Sequence, residues 1–192
     1  MIEGITGVAL AGGKSRRMGR NKALLTFEGK TLVQRCAGTL SEMFSRVVIS
    51  VNQQELFPDL HMPQIVDHYK ETGPIGGITS VLESGETRIF CAACDMPFLN
   101  KGLIEYLCSF TDNEAVIPVW KGRPEVLHAT YSDALLPRFQ FALQQGKFRI
   151  TDALAKAGIR YVEEEEIRKL DPSGLSFKNV NTPTDFIEIT KP

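Results

Sequence analysis

The sequence predicts an α/β fold: one domain over residues 1–192, built on a mainly parallel central sheet with helices on both faces. Three observations carry this expectation. Short apolar runs rich in β-branched residues alternate with stretches of helical periodicity through about the first 110 residues, the βαβα pattern of a parallel sheet covered by helices. A loop rich in glycine and cationic residues follows the first of these runs directly. Asp67 and Asp95 each follow a later run, and open parallel sheets bind ligands outside the carboxyl ends of their strands.

The elements follow in order. Residues 5–10 are apolar and predict a buried strand. Thr31 is an N-cap and Gln34 completes a capping box with it. Leu32, Cys36, Leu40 and Met43 or Phe44 recur at helical spacing, which predicts a helix to about Ser45. Val47-Val48-Ile49 predicts a second strand, and Gln64-Ile65-Val66 a third that ends at Asp67. Gly73-Pro74-Ile75-Gly76-Gly77 predicts a turn leading into a helix near residues 78–82. A strand over residues 89–93 stops at Cys94-Asp95-Met96-Pro97, and Asn100 caps a helix carrying Leu103, Ile104 and Leu107. The chain then changes character. Residues 115–119 and 126–131 predict two strands joined by Trp120-Lys121-Gly122-Arg123-Pro124, followed by helices over 135–145 and 151–157. Near the end, Lys178-Asn179-Val180-Asn181 reads as a strand leading into a helix capped at Thr182, with Pro183 at its first position.

Composition narrows the function classes. Hydrophobic residues make up 43% and charged residues 23%, an ordinary globular balance, and the net charge of −1 gives no electrostatic case for nucleic acid or an anionic membrane as partner. No apolar run approaches the roughly 20 residues of a membrane span. The N-terminus enters a strand with no basic n-region or cleavage site, so a cytoplasmic location is expected. Cys91-Ala92-Ala93-Cys94 has redox or zinc spacing, but a strand points positions three apart to opposite faces, and Cys36 and Cys108 form no second pair; buried thiols are the better reading. His61, His68 and His128 show no ligand pattern and read as satisfied or solvated side chains. Residues 163–166 are four glutamates, a solvated face or a helix's first turn. No spacing suggests a Ser-His-Asp arrangement, so a covalent mechanism has no support.

The chemistry concentrates in residues 10–25. Gly12 and Gly13 let the backbone turn tightly and bring N–H groups to a ligand, and the cations behind them suit phosphate. This is neither of two familiar phosphate loops. The dinucleotide fingerprint needs Gly-x-Gly-x-x-Gly, and the glycines here are adjacent. A Walker A loop ending in Gly13-Lys14-Ser15 needs its first glycine at position 8, which is Val8. By chemistry alone Asp67 is a turn residue, while Asp95 is either a turn residue or a ligand for Mg²⁺, which takes one or two carboxylates and completes its shell with phosphate and water.

Leu10-Ala11-Gly12-Gly13, Arg17-Met18-Gly19 and Lys22 resemble the signature of small nucleotidyltransferases, closest to the molybdenum cofactor guanylyltransferase family. Three later stretches share the resemblance: Gly73-Pro74-Ile75-Gly76-Gly77, Cys94-Asp95-Met96-Pro97 and Asn179-Val180-Asn181-Thr182-Pro183. It implies a Rossmann-like nucleotidyltransferase fold and transfer of GMP from MgGTP to molybdenum-molybdopterin with release of pyrophosphate. It further implies that Leu10, Ala11, Gly12, Gly13, Lys22, Asp67 and Asp95 contact the nucleotide. Arg17, Lys22 and Asp95 would carry catalysis, and Asp95 with Asn181 would stand at the Mg²⁺. Ser50 or Asn52 is the candidate to face the base, and Arg123 and Arg149 are candidates for the acceptor phosphate by charge and location. Other proteins of the cofactor pathway are the expected partners. The alternatives are a cytidylyltransferase for the same cofactor, a sugar-1-phosphate nucleotidyltransferase, or a non-catalytic nucleotide-binding protein.

Overall fold

The computed structural model describes residues 1–12, 22–54 and 56–190. Strand β1 (Thr6–Leu10) runs through the middle of the sheet, and the hairpin β2 (Thr26–Phe27) and β3 (Lys30–Thr31) leads into helix α1 (Leu32–Ser41). Then come β4 (Val47–Val51), β5 (Gln64–Val66), helix α2 (Pro74–Glu83), β6 (Arg88–Ala93) and helix α3 (Lys101–Cys108). The second half adds β7 (Ala115–Trp120), β8 (Arg123–Pro124), β9 (His128–Ser132), α4 (Leu136–Gln144) and α5 (Ile150–Ala153). It closes with β10 (Ile159–Val162), α6 (Glu164–Ile167) and α7 (Pro183–Thr190).

The sheet order is β10-β7-β9-β6-β1-β4-β5, with β8 paired to β7. All pairings are parallel among β6, β1, β4 and β5, and β10 is parallel to β7; β9 runs antiparallel between β6 and β7. The fold is therefore α/β with a mainly parallel sheet. The chain leaves β1 for β4 on one side and later reaches β6 on the other, so the crossovers diverge at the carboxyl end of β1. That divergence is a topological switch point, where such sheets open a crevice.

Alternation along the strands sorts the core into two layers. Ala9, Ile49, Phe90 and Ala92 face α1 and α3, packing with Val33, Leu40, Leu103 and Ile104. Val8, Val48, Ile89 and Cys91 face the other way, onto Ile75, Ile78 and Val81 of α2 and Phe139 of α4. Cys91 and Cys94 belong to opposite layers, and all four cysteines are buried and free, as the spacing argument expects. Among the described residues no helix is long and apolar enough to cross a membrane.

The structure departs from sequence expectation in several places. Thr31 caps α1 in the expected capping box, but the helix stops at Ser41; Met43 and Phe44 are buried by a turn, and Phe44 stacks on Phe90 at 5.7 Å. Helix α2 already begins at Pro74, because Gly73 takes φ +74°, where a side chain would be strained, and proline's fixed φ suits the first helical position. The segment from Lys178 to Asn181 is irregular, not a strand. Asp185 Oδ2 accepts from the Asn181 and Thr182 amides and Thr182 Oγ1 from the Asp185 amide, so the cap on α7 stands. The glutamates open α6, with Glu163 as its N-cap. His128 is neither satisfied nor solvated: it is wholly buried between Phe90 and Phe177, and both ring nitrogens lack a hydrogen-bond partner.

Candidate active site

A cavity of about 740 Å³ opens at the switch point. Much of its wall comes from the carboxyl ends of strands. Leu10, Ala11 and Gly12 follow β1, where the Ala11 amide donates to Ser50 O at 2.9 Å and continues the pairing with β4. Ser50 and Asn52 mark the end of β4, and the Asp67 amide donates to Val51 O at 2.7 Å, setting Asp67 at the end of β5. Ala93, Cys94 and Asp95 follow β6, tied to β1 by the Cys94 amide donating to Leu10 O. Gly73, Pro74 and Gly77 bring in the first turns of α2, whose N-terminus has no side-chain cap.

Chain-remote residues complete it. Lys22, at the start of a short helical turn (Lys22–Leu24), lines the cavity and its Nζ donates to Asn181 Oδ1 at 2.5 Å. The Val180 amide donates to Asp95 O at 2.7 Å, so the C-terminal segment straps over the end of β6 and delivers Asn181 to the lysine. Burial pushes the Asp95 carboxyl up, and Lys22 pulls the other way. Burial also raises Asp67, offset by the Tyr69 amide donating to Oδ1 at 2.8 Å and by Lys70. Asn52 Oδ1 is buried with no hydrogen-bond partner.

The sequence-predicted residues thus converge, with limits. Leu10, Ala11, Gly12, Lys22, Asp67 and Asp95 line one cavity, and Asn181 reaches it through Lys22. Gly13 and Arg17 lie outside the described residues. Neither Arg123, exposed in the hairpin of β7 and β8, nor Arg149, exposed at the N-cap of α5, lines the cavity. Lys70 went unnoticed in the sequence, since nothing in its spacing marks it. Its Nζ donates to Asn52 O at 2.8 Å and Asp67 O at 2.9 Å, bracing the two strand ends.

Residues 7–161 match the family described as the MobA-like NTP transferase domain, from within β1 to within β10. The chain belongs to this family. A probable molybdenum cofactor guanylyltransferase of Methanosarcina mazei is 36% identical over 93% of this chain and 87% of its own length. A second, from Pelotomaculum thermopropionicum, is 34% identical over 95% and 90%. The crystal structure of the molybdopterin-guanine dinucleotide biosynthesis protein A of Archaeoglobus fulgidus superposes with a TM-score of 0.85 at 28% identity, covering 96% of both chains. A cytidylyltransferase of Thermus thermophilus shares the fold at a TM-score of 0.68 and 16% identity. As a MobA-like transferase, the chain has at its switch point a cavity whose described lining includes Lys22 and Lys70, the carboxylates of Asp67, Glu71 and Asp95, and the Asn52 amide.

Proposed function

We propose that this chain, acting as one nucleotidyltransferase domain over residues 1–192, transfers GMP from GTP to molybdenum-molybdopterin, forming the guanine dinucleotide cofactor and pyrophosphate in the cytoplasm. The observation that carries the reading is the meeting of Lys22, Asp95 and Asn181, from three distant parts of the chain, at one strand-end cavity in a member of this family.

Nucleotidyl transfer needs in-line positioning and neutralisation of phosphate charge more than it needs a protein nucleophile. The acceptor phosphate oxygen bonds to the α-phosphorus while the bond to pyrophosphate breaks on the opposite side. The amides of Gly12 and Gly13 cradle phosphate oxygens, and Lys22 with Arg17 stabilises the charge that builds on the α-phosphate and leaving group. Asp67 fixes the nucleoside. Asn52 Oδ1, a buried acceptor without a partner, suits the N–H edge of guanine.

The donor set also fits the expected metal. Among the described residues no group of three or more His, Cys, Asp or Glu could hold an ion. One carboxylate, Asp95, with the Asn181 amide oxygen nearby, suits Mg²⁺, a hard cation that fills its remaining positions with phosphate and water. When bound, Mg²⁺ would offset triphosphate charge and orient it. Asn181 Oδ1 accepts from Lys22 here.

The test is pyrophosphate release from GTP, CTP, UTP and ATP with Mg²⁺, with and without molybdenum-loaded molybdopterin. Release with GTP only in the presence of the pterin supports the reading. Release with CTP keeps the mechanism and changes the product; no release from folded protein supplied with intact pterin sinks the transfer reaction.

A further inference from the structure

We infer that Glu83 is a positioning residue for the nucleoside side of the cavity, acting through Tyr69 on the loop that presents Asp67. The inference rests on the proposal that Asp67 contacts the nucleoside.

The loop from Asp67 to Thr72 is knotted internally. Asp67 Oδ1 accepts from the Tyr69 amide at 2.8 Å and lies 3.5 Å from Ser80 Oγ, which accepts from the His68 amide at 2.9 Å. Thr72 Oγ1 donates to Tyr69 O at 2.8 Å, and Glu71 is held at φ +65°. Two of these bonds join the loop to itself and two join it to Ser80 of α2. Ser80 of α2 and the Lys70 bond to Asn52 O tie its start to the body, and the Tyr69 side chain adds a tie to the far end of α2 and to α4. The Tyr69 hydroxyl donates to Glu83 Oε1 at 2.5 Å, and Gln140 Nε2 donates to the same oxygen at 2.7 Å.

Glu83 is the last residue of α2 and Gln140 sits within α4, so one carboxylate oxygen collects donors from the loop and a second helix. Hydrogen bonds to a charged acceptor are shorter and stronger than neutral ones, and two donors on one oxygen fix its direction. The hydrogen bond to Glu83, with burial, pushes the Tyr69 hydroxyl up to about 12, so it remains a donor across working pH. Tyr69 neither lines the cavity nor touches the metal position, and Glu83 stands a full helix length from Gly73. The Asp67 loop, to which Tyr69 belongs, is the route from them to the cavity that the inference assigns.

The experiment uses the full chain with Tyr69→Phe, Glu83→Ala, Glu83→Gln and Gln140→Leu, measuring the affinity of a fluorescently labelled nucleotide and the kcat and KM of pyrophosphate release. The expected result is an affinity weaker by on the order of tenfold in Tyr69→Phe and Glu83→Ala, with kcat at saturating nucleotide unchanged, the mark of lost uniform binding. Glu83→Gln keeps an acceptor for the hydroxyl and should restore affinity to within about twofold of wild type. Gln140→Leu, which leaves Tyr69 and Glu83 in place, should show an intermediate loss even if Glu83→Ala folds poorly. Variants whose Tm falls while nucleotide affinity stays at the wild-type value would overturn the inference and leave a structural bond. Wild-type binding is measured first with GTP, CTP, UTP and ATP. A preference for a base other than guanine revises the reaction alone, since the variant-to-wild-type ratio is then read on that nucleotide. Binding of none removes the nucleoside role of Asp67 and the inference with it.

Discussion

Asp95 is charged at a cost. Burial raises its carboxyl, so the contribution of this group to stability is fullest below the ordinary aspartate range and is lost as pH rises through the raised value. At neutral pH the folded chain bears that penalty, offset in part by Lys22. Asp95→Asn removes the charge while keeping the shape. The expected outcome is a higher Tm for the ligand-free protein together with transfer activity below detection. Unchanged activity removes the metal assignment, and a lower Tm marks Asp95 as a structural residue. Lys22→Ala should reduce kcat by on the order of 10²–10³ with little effect on folding, as for the loss of one preorganised donor to developing charge; a change in Tm with normal kcat would make the lysine structural. The Lys22–Asn181 bond itself could not be read from the sequence, because its partners are 159 residues apart and only the packed C-terminal strap brings them together.

Glycines within the helices separate space for function from mere tolerance. A Cβ at Gly76 in α2 would stand 2.8 Å from Asp67 Oδ1 and 2.9 Å from Tyr69 O, and a backbone carbonyl cannot step aside. Gly76→Ala should cost about 1–3 kcal/mol in urea denaturation and weaken nucleotide binding, since the displaced atoms belong to the Asp67 loop. Gly38 in α1 meets nothing within 4 Å, and Gly38→Ala should add roughly 0.5–1 kcal/mol and leave activity alone. Helix α1 also shows what a sequence discloses. Its capping box involves residues three apart, so the signal is local and was legible in Thr31 and Gln34. The same holds for β1, β4 and β6, whose apolar runs are continuous because both faces are covered. The hairpin of β2 and β3 escaped notice because two-residue strands carry no period. Strand β10 did too, because its partner is Ala115 to Pro118, over forty residues back in the chain, and its own short run alternates with Arg160 and an exposed Tyr161. The cavity was legible as a set of strand ends, Leu10, Asp67 and Asp95. The braces behind it, Lys70 and Ser80, are set by side-chain reach and were not.

Among the described residues, a few buried groups of opposite sign shape the pH response of the fold. His128 is enclosed by Phe90 and Phe177 with Asp171 the charged group nearest in effect, and burial pushes it down to about 4. It is neutral when folded, whereas the unfolded chain takes up a proton near pH 6.5. Stability is therefore whole above that pH and falls as pH drops towards 4, by roughly 3 kcal/mol over the full window. Asp67, Asp95 and Glu125, all raised chiefly by burial, act in the other direction and relieve strain as they protonate. Asp171 is lowered by hydrogen bonds from the Ser176 and Leu175 amides that outweigh its burial, and adds its own loss only below the ordinary aspartate range. The separation of these windows gives a distinguishing measurement: urea denaturation at pH 7 and pH 5 for wild type and His128→Phe. Wild type should lose about 2 kcal/mol more than the variant across that interval, since phenylalanine has no proton to gain on unfolding and keeps the aromatic packing. Equal losses would mean that folded His128 takes up its proton as readily as the unfolded chain does, so that its burial sets no pH-dependent cost.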